Sequence, residues 1–155
     1  MIDLERRKAL KTGSSLGLLG LLASLGLLHS GAAHAERKAA IFEAKSLDEL
    51  LDAMGVGIPQ NSASVQLTAP EIAENGAFVP ITVVSNFPRT EQISILVEKN
   101  PNTLAANFIL TEGTEGFLTT RIKMGQTDTV IALVKADGKY YRAAREVRVT
   151  VGGCS

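Results

Sequence analysis

The sequence predicts an all-β chain: an immunoglobulin-like antiparallel β-sandwich of about seven strands, preceded by a short N-terminal amphipathic helix. Two observations carry this expectation. Seven short apolar or alternating segments follow one another, separated by Gly, Pro and Asn turn signals. A single capping box opens the one stretch of helical periodicity. The Cys…Trp…Cys signature of antibody domains is absent, since the chain has one Cys and no Trp.

The elements follow in order. Residues 36–45 are a mixed, charged lead-in. Ser46-Leu47-Asp48-Glu49 is the capping box, with Ser46 as N-cap and Glu49 at N3. Leu47, Leu50, Leu51 and Met54 then give one apolar face, and Gly55 supplies the stop, so a helix is expected near 46–54. A helix this short depends on tertiary packing, so its expected role is to cap a core. The first strand centres on Val65 and Leu67, and 78–85 is β-branched and Val-rich. Segment 92–98 places Ile93, Ile95 and Val97 on one face, and 105–111 centres on Phe108 and Leu110. Segment 117–124 opposes Leu118, Ile122 and Met124 to Thr119, Arg121 and Lys123. Segment 129–136 is nearly all apolar, as a strand covered on both faces would be. Segment 140–151 alternates again, and Asp137-Gly138 before it is a two-residue hairpin signal. Pro80 sits inside a strand pattern, which predicts an edge or a bulge there.

Residues 1–35 read as an export signal. Arg6, Arg7, Lys8 and Lys11 precede an uncharged stretch that runs from Thr12 to Ala35 and ends in Ala33-His34-Ala35. A positive start, an apolar middle and an A-x-A end make a secretory signal cleaved after Ala35. Glu5-Arg6-Arg7-Lys8-Ala9-Leu10-Lys11 resembles the twin-arginine signal, with Glu5 and Ala9 departing from its usual Ser or Thr and Phe. A spanning helix needs about 20 apolar residues. Here the apolar middle, 13–28, has 16 residues, four of them Gly. The expectation is a periplasmic protein with no stable membrane anchor after cleavage.

Cleavage changes the composition. The whole chain has 155 residues, 16 basic and 16 acidic, and two His. Removal of 35 residues leaves 120, with 12 basic and 14 acidic side chains and no His, because His29 and His34 lie in the signal. A slightly acidic domain is not built to bind nucleic acid. Without His, Ser-His-Asp and Cys-His nucleophiles and His-ligated metals are excluded. One Cys is too few for a thiolate zinc or iron–sulfur site. No metal or cofactor is expected.

The remaining carrier of chemistry is Cys154. It follows Gly152 and Gly153, directly beyond the last predicted strand of the 36–151 domain. Two glycines add backbone freedom and remove side-chain bulk, so 152–155 is expected to be a flexible arm. The thiol is a soft nucleophile whose thiolate is the reactive form. Nothing beside it in the sequence serves as a base, so a partner's active site would have to activate it.

The chain resembles the SoxY family, the sulfur carriers of the thiosulfate-oxidising Sox complex. The resemblance rests on the twin-arginine signal and on Glu74-Asn75-Gly76-Ala77-Phe78-Val79-Pro80-Ile81. It extends through Glu98-Lys99-Asn100-Pro101-Asn102, Phe108, Arg121-Ile122-Lys123-Met124 and Asp137-Gly138 to Val149-Thr150-Val151-Gly152-Gly153-Cys154. The family usually carries further Gly after the Cys, where this chain has Ser155. The resemblance implies that Cys154 holds thiosulfate-derived intermediates covalently and that the chain is a carrier, not an enzyme. It implies a heterodimer with a SoxZ-like sandwich subunit. The implied enzymes are a haem-containing thiosulfate-coupling protein, a sulfate-releasing hydrolase and, where present, a sulfane dehydrogenase.

Two other readings stay open on the residues alone. One is a periplasmic binding or assembly module whose Cys154 forms an intermolecular disulfide. The other is a carboxylate enzyme using Glu71 and Glu74 or Glu112 and Glu115, although both pairs fall in loops where solvation is the expected role. Arg142, Arg145 and Arg148 are expected on a solvated sheet face, with Arg145 on the side of Tyr141 and Val151. Tyr140 and Tyr141 are expected to pack.

Overall fold

The computed structural model describes residues 39–150. Residues 39–43, read from sequence as part of a charged lead-in, are helical. Helix α1 (Leu47–Met54) follows, with Ser46 as N-cap and Gly55 closing it in the left-handed region at φ 67°. The Ser46 hydroxyl accepts the Glu49 amide at 3.2 Å. The Glu49 carboxylate takes the Lys45 amide at 3.0 Å, one residue before the position a capping box normally satisfies.

Nine strands come next among the described residues: β1 (Gln60–Asn61), β2 (Val65–Thr68), β3 (Ile72–Ala73), β4 (Val79–Ser85), β5 (Thr90–Val97), β6 (Leu104–Ile109), β7 (Phe117–Ile122), β8 (Asp128–Ala136) and β9 (Lys139–Val149). The seven longer ones are the seven expected, within a residue or two. β1 and β3 are two-residue additions. The larger sheet runs β1-β9-β8-β5-β6, with β3 also on β9, and the smaller runs β2-β4-β7. The longer pairs are antiparallel, whereas β1 and β3 lie parallel to β9. The architecture is the immunoglobulin-like sandwich the sequence predicts.

Alternation explains the layers. Ile93, Ile95 and Val97 of β5 and Val130, Ala132 and Val134 of β8 join Val79, Ile81 and Val83 of β4 in the core between the sheets. The intervening Leu96, Ile131 and Leu133 face outward and pack with Ala44, Leu50 and Val56 of the helical segment. This second layer is why β8 is apolar along almost its whole length. Among the described residues, no helix is long and apolar enough to cross a membrane.

Pro80 corrects one expectation. Its strand, β4, is central in the smaller sheet, neither an edge nor bulged. The β2 ladder ends at Thr68↔Thr82. At Pro80 the strand is therefore paired only with β7, opposite Arg121. A locally one-sided strand tolerates the missing N–H.

The β8–β9 hairpin turns at Asp137 (φ 48°) and Gly138 (φ 71°), two left-handed residues as a type I′ turn requires. Glu91 clamps it, accepting the Gly138 amide at 2.8 Å and pairing with Lys135 at 2.8 Å. The Lys135 hydrogen bond, helped by the Gly138 amide, holds the Glu91 carboxyl below its ordinary value. Arg89 reaches the same turn through its Nε, which donates to Asp137 at 2.9 Å. Tyr141 stacks on Phe87 at 4.2 Å, and Tyr140 packs beside the helical layer, so both tyrosines are packing residues.

Leu50 is fully buried between α1 and the larger sheet. Leu50→Ala is expected to cost about 2–5 kcal/mol in urea unfolding, while near-native far-UV circular dichroism shows that the sandwich is retained.

Candidate functional site

Cys154, Gly152 and Gly153, and the export residues Arg6 and Arg7, lie outside the described residues. The described part of the site is the strand end that precedes Gly152 in the chain, called the root below. Thr150 is its last residue, one past the end of β9.

That root is fastened on two sides. On one side β3 pairs Ile72 with Arg148 and Ala73 with Val149. The Arg148 amide donates to Glu71 O at 2.9 Å, and the Thr150 amide donates to Ala73 O at 3.1 Å. On the other side the β8 ladder ends at Asp128↔Val147. Thr127 continues it with a side chain: its hydroxyl accepts the Val149 amide at 3.0 Å and faces Val149 O at 3.5 Å. A strand end with its polar groups paired resists fraying.

Under the root lies Gly76. Asn75 builds a local turn, its side chain accepting the Ala77 amide at 2.9 Å. The Met124 amide donates to Gly76 O at 2.7 Å. A Cβ on Gly76 would lie 2.3 Å from Met124 O and 2.9 Å from Val149 Cγ1. The glycine is required by this close approach, with no demand for a special φ.

The Glu98–Asn102 motif braces the neighbouring loop. Asn100 donates to Lys123 O at 2.7 Å and accepts the Gly125 amide at 3.2 Å. The Lys99 amide donates to the buried Asp128 carboxylate at 2.7 Å, and the Lys99 ammonium lies 3.8 Å from it. Asn102 accepts from Lys45 at 2.7 Å, joining this loop to the helical segment. Sequence reasoning missed Thr127, Asp128 and β3. The only signal for Asp128 is an acid opening an otherwise apolar strand.

The other candidates do not assemble into chemistry. Glu71, Glu74, Glu112 and Glu115 are all exposed, and Glu71 lies 3.7 Å from Arg145. Arg142 donates to Asn61 at 2.9 Å, and Arg148 lies 3.9 Å from Glu146. Each arginine is held by a local polar partner. Arg145 has the core-facing parity but turns to solvent. Among the described residues, no group of three or more His, Cys, Asp or Glu side chains is placed to hold a metal ion. The arrangement is a strand end whose backbone groups are paired on both sides.

Gly76→Ala is expected to destabilise the fold by about 1–3 kcal/mol, because its new methyl meets backbone that cannot rotate away. Gly57→Ala, which meets nothing within 4 Å, should stay within about 0.5 kcal/mol. Parallel urea titrations of the two variants check the contrast.

Comparison with known proteins agrees with this geometry. Residues 51–154 match the family model described as sulfur oxidation protein SoxY. The sulfur carrier protein SoxY from Chlorobium limicola f thiosulfatophilum is 40% identical, with TM-score 0.61, over 68% of this chain and 97% of that one. Two variant structures of superoxide reductase (neelaredoxin) from Ignicoccus hospitalis share the fold alone. One is 15% identical with TM-score 0.50, covering 56% of this chain and 80% of that one. The other is 16% identical with TM-score 0.51, covering 69% of this chain and 100% of that one. No curated protein matches the chain. A family match over most of the chain, joined to a structural relative at 40% identity, places the chain in the SoxY family of sulfur carrier proteins.

Proposed function

We propose that this chain carries thiosulfate-derived sulfur on Cys154 and presents it to partner enzymes in the periplasm. The supporting observation is the sequence Gly152-Gly153-Cys154 immediately beyond a strand end fastened by β3 and Thr127, in a chain of the SoxY family. Cys154 is the sole thiol, so every adduct would form at one place.

The cycle begins with oxidative coupling. The Cys154 thiolate joins the outer sulfur of thiosulfate, giving Cys–S–S–SO3⁻, and two electrons pass to the haem-containing coupling protein. The hydrolase then adds water across the S–SO3 bond, which releases sulfate and two protons and leaves a persulfide. A sulfane dehydrogenase, where present, oxidises that sulfur further. The chain supplies the thiol and its delivery, and the enzymes supply the catalysis. Gly152 and Gly153 let the arm enter a channel too narrow for a Cβ. A SoxZ-like subunit completes the carrier as a heterodimer.

Intact mass of the protein from thiosulfate-grown cells should show reducible, sulfur-containing adducts that disappear in Cys154→Ser. Only free thiol or a protein–protein disulfide under turnover would overturn the carrier reading in favour of a disulfide-linked assembly module.

The twin-arginine route exports folded cargo. On this reading, it would carry a signal-less partner subunit already bound to the chain. Arg6→Lys with Arg7→Lys should strand both subunits in the cytoplasm when fractions are blotted. A partner still reaching the periplasm would refute joint export.

A further inference from the structure

Asn75 is the only one of the six asparagines that precedes a glycine. It is exposed, at the first position of a tight turn whose Phe78 amide donates to Asn75 O at 3.2 Å. The Ala77 amide donates to Asn75 Oδ1 at 2.9 Å, which folds the carboxamide forward over the Gly76 peptide. Gly76 has no side chain to shield its nitrogen, and among the described residues no acceptor holds its N–H. Every other asparagine is followed by a bulkier residue: Ser62, Phe87, Pro101, Thr103 or Phe108.

We propose that Asn75 is a self-modification site, converting to aspartate and isoaspartate through attack by the backbone nitrogen of Gly76. That nitrogen, deprotonated by hydroxide, bonds to the Asn75 carboxamide carbon, and the side-chain nitrogen leaves as ammonia. Negative charge develops on Oδ1 in this step, and the Ala77 N–H already points at that oxygen, as an oxyanion donor must. Water then opens the cyclic succinimide at either carbonyl. No electrons are exchanged: water enters and ammonia leaves. Opening at the main-chain carbonyl leaves isoaspartate, whose backbone runs through the former side chain and is one atom longer. The fold has no room for that atom at Gly76. The Gly76 carbonyl accepts the Met124 amide at 2.7 Å, and Met124 O and the Val149 side chain fill the space a Cβ would need. Isoaspartate therefore pushes Gly76 off Met124 and releases the Val149 side chain, loosening the end of β9. Aspartate keeps the chain length and an acceptor oxygen for the Ala77 amide, so it leaves the turn in place.

The test follows the intact protein, with any subunit that co-purifies, at mildly alkaline pH and physiological temperature. An acidic species should accumulate on ion exchange, with the mass of an amide replaced by an acid. Electron-transfer fragmentation should place the change at residue 75, as a mixture of aspartate and isoaspartate, before any other asparagine converts. The rate should rise in proportion to hydroxide concentration. Asn75→Ser, which retains a side-chain acceptor for the turn but has no carboxamide, should form no such species. Hydrogen exchange at Val149 and Thr150 should be about tenfold faster in the isolated isoaspartate form and unchanged in Asn75→Asp. No product from the folded protein by the time the same chain unfolded in guanidinium has converted, an earlier change at another asparagine, or unaltered exchange in the isoaspartate form would overturn the proposal.

Discussion

Burial of β8 on both faces sets the geometry of everything around it. Val130, Ala132 and Val134 point into the core between the sheets, and Ile131 and Leu133 point into the helical layer. A strand covered twice has no freedom to slip, since a one-residue shift would exchange the two apolar sets between unlike neighbours. β9 pairs with β8 from Asp128↔Val147 to Ala136↔Lys139 and inherits that fixed register. The position of the arm root in space is thus a consequence of side chains far from it.

The two ends of the sandwich use different chemistry. The hairpin end is closed by charges: Glu91, Lys135, Arg89 and Asp137 meet around one tight turn. These groups are largely exposed, so their pairing is screened and specifies local geometry more than stability. The arm end is closed mainly by neutral hydrogen bonds and one close backbone approach: Thr127 to Val149, Asn100 to the 123–125 loop, and Gly76 against Met124. Such contacts do not depend on pH or salt in the way ion pairs do.

A stiff root also gives a short arm its value. On the proposed carrier reading, a fixed strand end would keep Cys154 within a few residues' reach, and a partner enzyme would meet the thiol at high effective concentration. A frayed β9 end would lengthen the tether and dilute that advantage. The β3 segment, only two residues long, prevents the fraying by pairing with Arg148 and Val149.

The sequence by itself determined the helix, the seven longer strands and the hairpin at Asp137-Gly138. Each of these is local: a capping box, a period of two, a turn dipeptide. Tertiary structure alone decided what lies around the root. The Thr127–Val149 and Asn100–Lys123 contacts join residues 22 and 23 positions apart, and no pattern of neighbouring residues announces them. The same holds for Pro80, which read as an edge or bulge residue. It sits in a central strand because β2 happens to end before reaching it, and strand ends are set by what the neighbouring chain does. Ile72, in β3, and Phe78, just before β4, share no pattern in the sequence. Only the folded chain brings them together, exposed, beside the place where the arm begins.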